Sequence, residues 1–160
     1  MIKDRVVNKL LNKYFIEVTK NIFNKLFDLN IEPGDIYSTT NDNHKWDISG
    51  MVGVAGDLEG IISIRLKENH ASEILKKTRI DTPDVAARWE LVNDMIGELV
   101  NNISGNTLSK LTDTHFRVSV PITIQGENHI LKWPDNAPIV AIPFTVDDED
   151  FEVQYSLYSE

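Results

Sequence analysis

Apolar residues recur three or four positions apart at Val6, Leu10, Leu11, Tyr14, Phe15, Val18, Ile22, Phe23, Leu26 and Phe27. That spacing predicts a long amphipathic helix from about Arg5 to Leu29, which Ile31-Glu32-Pro33-Gly34 then ends. From Lys45 to Leu66 the pattern turns β-rich, and WDISGMVGVAG and GIISIRL flank a short Asp57-Leu58-Glu59 bend between Gly56 and Gly60. A hairpin with a short loop follows. Glu68 to Thr78 reads as a second, short helix. Thr82-Pro83 reads as an N-cap with proline at the first position of a third helix running to about Leu111. The segments FRVSVPITI, HILKW, PIVAIPFTV and FEVQYSLY are expected to be antiparallel strands, the last with Phe151, Val153, Tyr155 and Leu157 on one face. The acidic run Asp147-Asp148-Glu149-Asp150 reads as a solvated turn between the last two strands. These elements predict an α+β fold, a mainly antiparallel sheet with a layer of helices on one face.

Within the third helix, Val92, Met95, Ile96, Leu99 and Ile103 share the side expected to face the sheet. Asp94, Glu98, Asn101 and Gly105, spaced by four, three and four, fall within an arc of roughly 60° on the solvent-facing flank, with Gly97 close beside them. Any surface helix shows carboxylates and amides outward. The glycines are less ordinary, because each costs about 1 kcal/mol relative to alanine inside a helix. Clearance for another backbone is one reason to keep them; tight packing on the sheet, or a helix end at Gly105, is the structural alternative. An amide donates and accepts at once and so can orient a water, while a neighbouring carboxylate can pair with a partner's lysine. No serine–histidine arrangement is visible in the sequence, and no glycine-rich phosphate loop.

Composition narrows the reading. With 160 residues, 41% of them hydrophobic, a single domain over residues 1–160 is expected. The chain has no cysteine, and its four histidines are scattered, so no metal ligand set is expected in it. No apolar run approaches the ~18–20 residues of a membrane span, so neither a membrane nor a secreted location is expected. A net charge of −9 and a pI near 4.9 argue against nucleic acid or anionic lipid as partners.

The run DMIGELVNNISGN, Asp94 to Asn106, followed by Pro121, resembles the signature of the CheC/CheX/FliY phosphatases of bacterial chemotaxis. In that family an acidic or serine residue, a Glu four positions on and an Asn three beyond it precede a proline some way downstream. Asp94, Glu98, Asn101 and Pro121 match in order. The hairpin GMVGVAGDLEGIISIRL, RVSVPITIQG, IVAIPF and FEVQYSL are also similar to the corresponding stretches of the CheX branch. CheC-type members carry two copies of the signature. Here Glu17-Val18-Thr19-Lys20 and Glu73-Ile74-Leu75-Lys76 have lysine where asparagine is needed, which favours the CheX branch.

The resemblance implies a cytoplasmic hydrolase acting on the aspartyl phosphate of a CheY-like response regulator, to terminate a chemotaxis signal. It implies that Glu98 pairs with the receiver's active-site lysine and that Asn101 holds the attacking water. Asp94, Gly97 and Gly105 would be partner contacts. Mg²⁺ is expected in the receiver and no cofactor in this chain. A homodimer is expected, since the family's members dimerise and open sheets have edges to cover. A non-catalytic module binding a receiver or another signalling partner is the alternative. The overall acidity looks ill suited to a receiver whose phosphorylation site is itself acidic.

Overall fold

The computed structural model of the chain describes residues 2–159, with side chains from Val7 to Ser159. Val6, the first residue of the apolar series, therefore lies outside the described side chains. Helix α1 spans Ile2–Phe27. It stops at Asp28, whose φ of 54° breaks the helix where Leu29 N–H reaches back to Phe23 O and Asp28 N–H to Asn24 O. The Asp28 bond is the single left-handed closure usually built on glycine. Two short strands follow, β1 (Glu32–Pro33) and β2 (Tyr37–Thr39). The expected hairpin is β3 (Ile48–Gly56) with β4 (Glu59–Leu66), turning at Gly56 and Gly60, both at positive φ. Helix α2 covers Glu68–Lys76 and α3 covers Val85–Leu108. The chain closes with β5 (Phe116–Val118), β6 (Ile122–Gln125), β7 (Ile139–Val146) and β8 (Glu149–Tyr158).

All pairings are antiparallel in one eight-stranded sheet ordered β1-β7-β8-β4-β3-β5, with β2 also on β7 and β6 also on β3. The helices line one face. Against them β8 sends Phe151, Val153, Tyr155 and Leu157, all buried. Phe151 stacks on Phe23 of α1 at 4.7 Å between ring centres, and Tyr155 on Phe15 at 5.1 Å. The β7–β8 turn is made by Asp147 and Asp148, both at positive φ, which suits a two-residue hairpin.

Three expectations need correction. The third helix begins at Val85, not after Thr82: Asp84 is its cap, its side chain accepting from Ala87 N–H at 2.7 Å. FRVSVPITI is not one strand, because Pro121 cannot donate to the ladder, and the segment splits into β5 and β6 around it. HILKW, His129 to Trp133, is not a strand. It is an irregular strap whose Leu131 and Trp133 pack with Ile139 on Met51, Ile61 and Ile124 across the sheet's second face.

That second face is covered, not open. Fully buried Arg65 donates to Asp42 at 2.8 Å and to Gln154 at 3.1 Å. Asp42 also accepts from Leu131 N–H at 2.7 Å, tying the strap down. Tyr37 O–H donates to Glu152, and Gln154 donates to the same carboxylate. Ser49 Oγ lies 2.7 Å from His129 Nε2, whose ring donates through Nδ1 to Gly126 O at 2.8 Å. This is a serine–histidine pair that the sequence did not reveal. Ser49 is fully buried, so the pair fastens the strap and offers no nucleophile to solvent.

Candidate functional site

Helix α3 lies close on the sheet because Gly50 of β3 has no side chain. A Cβ there would stand 2.8 Å from Ile96 Cγ2 and 3.0 Å from Ile96 O. Val92, Ile96, Leu99 and Ile103 are buried as expected, and Met95 packs partly buried at the margin. Their burial fixes the helix's rotation. It leaves Asp94, Glu98 and Asn101 exposed on one ridge.

On this ridge Glu98 Oε1 accepts from the Asn102 side-chain amide at 3.2 Å. Among the described residues, the Asn101 amide and the Asp94 carboxylate have no side-chain hydrogen bond or ion pair. Asn101 therefore presents a donor and an acceptor together, next to a carboxylate whose direction is set one turn further on. Asn102 lies outside the expected site set. The i,i+4 spacing to Glu98 was the signal for it.

The two glycines differ. Gly97 is buried, and a Cβ there would meet Thr123 Oγ1 at 3.5 Å and Pro121 Cγ at 3.8 Å. Its bare backbone faces the chain's own Pro121 and Thr123 at ordinary van der Waals distances, so a Cβ would fit there and internal crowding does not by itself require the glycine. Pro121 is thus a packing residue between β5 and β6. Gly105 is inside α3, which continues to Leu108, and nothing lies within 4 Å of where its Cβ would be. Neither a helix end nor internal crowding accounts for it.

The ridge has distinct flanks. On one side lie Pro121 and Ile122, the latter 59% exposed. On the other, a groove between α1 and α3 is lined by Asn21, Lys25, Leu26, Asn102, Asn106 and Lys110, among others. No group of three or more His, Asp or Glu among the described residues is placed to hold a metal ion. No described helix is long and apolar enough to cross a membrane.

Layered helices on an antiparallel sheet, with a polar ridge on the helix packed centrally over it, define the class of domain. The family model for the chemotaxis phosphatase CheX matches residues 48–145, and the chain belongs to this family. It is 28% identical to chemotaxis protein CheX from Desulfovibrio desulfuricans, with a TM-score of 0.82 over 92% of this chain and 99% of that one. CheX from the CheX–CheY–BeF₃–Mg²⁺ complex of Borrelia burgdorferi is 23% identical, with a TM-score of 0.78 over 92% and 97% of the two chains. Chemotaxis protein CheX from Vibrio vulnificus shares the fold at 21% identity, with a TM-score of 0.77 over 92% and 99%. No curated protein sequence matches the chain.

Proposed function

We propose that the chain hydrolyses the aspartyl phosphate of a CheY-type response regulator by laying the α3 ridge across the receiver's active site. Water would attack phosphorus in line, the bond from phosphorus to the aspartate oxygen would break, and inorganic phosphate and a free aspartate would leave. Asn101 positions that water, and its contribution is geometric, since an amide is a poor acid and base. Glu98 pairs with the receiver's lysine, Asp94 contacts the receiver's rim, and Gly105 gives its backbone room. The Mg²⁺ that neutralises developing charge belongs to the receiver, and the reaction takes place in the cytoplasm. The Borrelia relative is solved in complex with CheY, BeF₃ and Mg²⁺, which supports the choice of partner.

The observation that carries this reading is the placement of Glu98 and Asn101 together, exposed, one turn apart on a helix whose rotation is fixed by a buried opposite face. A homodimer belongs to the same reading. Val120, 83% exposed, sits with Ile122 at the β5–β6 edge, where a second copy would cover them.

Phosphate release from phosphorylated CheY-type receivers with Mg²⁺, measured without the protein, with it, and with Asn101→Ala, tests the proposal. Acceleration by the wild type, reduced at least roughly 100-fold in Asn101→Ala, is expected from the loss of one positioned polar group. Full activity in that variant removes Asn101 from the mechanism. No acceleration on any receiver leaves a binding module only.

A further inference from the structure

The net charge of −9 conceals a strong asymmetry. Helix α1 carries six Lys or Arg against two carboxylates, Asp4 and Glu17, so the acidity belongs to the rest of the chain. This basic helix lies alongside α3, and the two wall the groove that borders the ridge. Lys25 of α1 and Lys110, just past α3, both line it and both are exposed.

No carboxylate lines that groove. The clefts near Asp57, Asp47, Asp147 and Asp42 each contain at least one carboxylate. Among the described residues neither lysine has an ion-pair partner, and the Lys110 ammonium sits only over the Tyr14 ring at 5.9 Å. Leu26 in the same lining is 52% exposed, and the amides of Asn21 and Asn106 are available for hydrogen bonding. Lys110 also lines the neighbouring cleft with Asp57 and Asp113, but without a salt bridge to either. The groove therefore offers apolar surface, amides and two lysines without ion-pair partners, a combination that fits an amphipathic segment bearing carboxylates.

Asn102 connects the groove to the ridge. It lines the groove and also donates to Glu98 at 3.2 Å, so an occupant of the groove touches the residue that orients the proposed docking carboxylate.

We propose that the α1–α3 groove is the second half of the receiver-docking surface and takes a carboxylate-bearing segment of the same phosphorylated receiver, held by Lys25 and Lys110. This rests on the phosphatase reading for the identity of the partner. It also removes the conflict between an acidic chain and an acidic target. Steering at contact depends on charges within about 10 Å of the interface at ordinary salt, where Lys25 and Lys110 of the groove count beside the ridge carboxylates and the distant acidic residues do not.

The test uses the receiver that the wild-type protein binds most tightly, trapped with beryllofluoride and Mg²⁺. Binding is titrated at low and high salt with wild type, Lys25→Glu/Lys110→Glu and the neutral Lys25→Met/Lys110→Met. Thermal unfolding and the oligomeric state are recorded for each. Reversing both charges should weaken binding at low salt by about tenfold or more, with the neutral pair between, and both should flatten the salt dependence. Unchanged titration curves in variants that melt like wild type overturn the proposal. So does a variant that loses self-association but keeps receiver affinity, because the groove then serves a second copy of this chain. If receiver binding is lysine-dependent while the wild type releases no phosphate, the groove stands and the catalytic reading falls. If the wild type binds no activated receiver, both fall.

Discussion

Gly50 on β3 faces Ile96 on α3 so closely that a Cβ at residue 50 would lie 2.8 Å from Ile96 Cγ2, 3.0 Å from its carbonyl oxygen and 3.2 Å from Val100 Cγ1. Two of these are side-chain atoms that can move; the oxygen is helix backbone and cannot yield without shifting α3. Gly50→Ala should therefore cost about 1–3 kcal/mol by overpacking. Thermal or denaturant unfolding measures it. A neutral result would mean that α3 is free to ride away from the sheet, and the ridge would then lack the rigid base assigned to it.

Glu98 and Asn102 make a more local prediction. Deleting the 3.2 Å bond in Asn102→Ala removes one surface hydrogen bond and should raise KM roughly two- to tenfold. Glu98→Ala removes the docking charge itself and should raise KM more, with weaker receiver binding. Asn102→Gln should recover part of the loss, since an amide one methylene longer still reaches a carboxylate one turn away. Equal effects of Asn102→Ala and Asn102→Gln would mean that residue 102 acts by filling space.

Gly105 separates stability from function. With nothing within 4 Å of its Cβ position, Gly105→Ala is free of internal clash and should stabilise α3 by about 0.5–1 kcal/mol. On a docking face the same methyl should raise KM for the phosphorylated receiver. A more stable variant with unaltered KM would take Gly105 off that face.

The contrast between Gly97 and Gly105 also marks the limit of what the chain alone could tell. Period and spacing placed the α3 ridge, because burial of Val92, Ile96, Leu99 and Ile103 dictates the opposite flank. They could not tell which glycine lies beside Pro121 and Thr123 and which faces open space, since that depends on a strand distant in sequence. The strap at His129–Trp133 failed for a related reason. Leu131 and Trp133, two apart on either side of Lys132, both pack inward against Met51 and Ile61, and burial under a strap leaves the same imprint as burial in a strand. In β8, Glu152, Gln154 and Ser156 alternate like a wet outer face, yet all three are buried. Strands β1 and β2, with only two and three residues, carry too little pattern to register.

That buried polar face carries its own prediction. Asp42, its side chain 4% exposed, neutralises fully buried Arg65 and also accepts from Leu131 N–H. Asp42→Ala leaves a buried guanidinium short of its countercharge and should destabilise the fold by roughly 3–5 kcal/mol. Hydrogen exchange should show the 129–133 strap opening first. Retained protection across the strap would assign its attachment to the Ser49–His129 contact instead.

The last prediction concerns alkaline pH. Burial pushes the Tyr155 phenol well above its ordinary value of 10.0, and its O–H donates to Asn12 Oδ1 at 2.7 Å. Burial, then the hydrogen bond to Glu152, pushes Tyr37 the same way. Below pH 10 both phenols are protonated whether the chain is folded or not, so neither makes stability depend on pH. Above that value the unfolded chain releases protons that the folded chain retains, and stability falls as pH rises towards the folded values. Tyr155→Phe should lose about 1 kcal/mol at neutral pH with its hydrogen bond. Above pH 10 its stability should decline less steeply than that of the wild type, so the two curves converge. Parallel curves between neutral pH and pH 11, measured by urea unfolding, would show that the Tyr155 phenol ionises as readily in the fold as out of it.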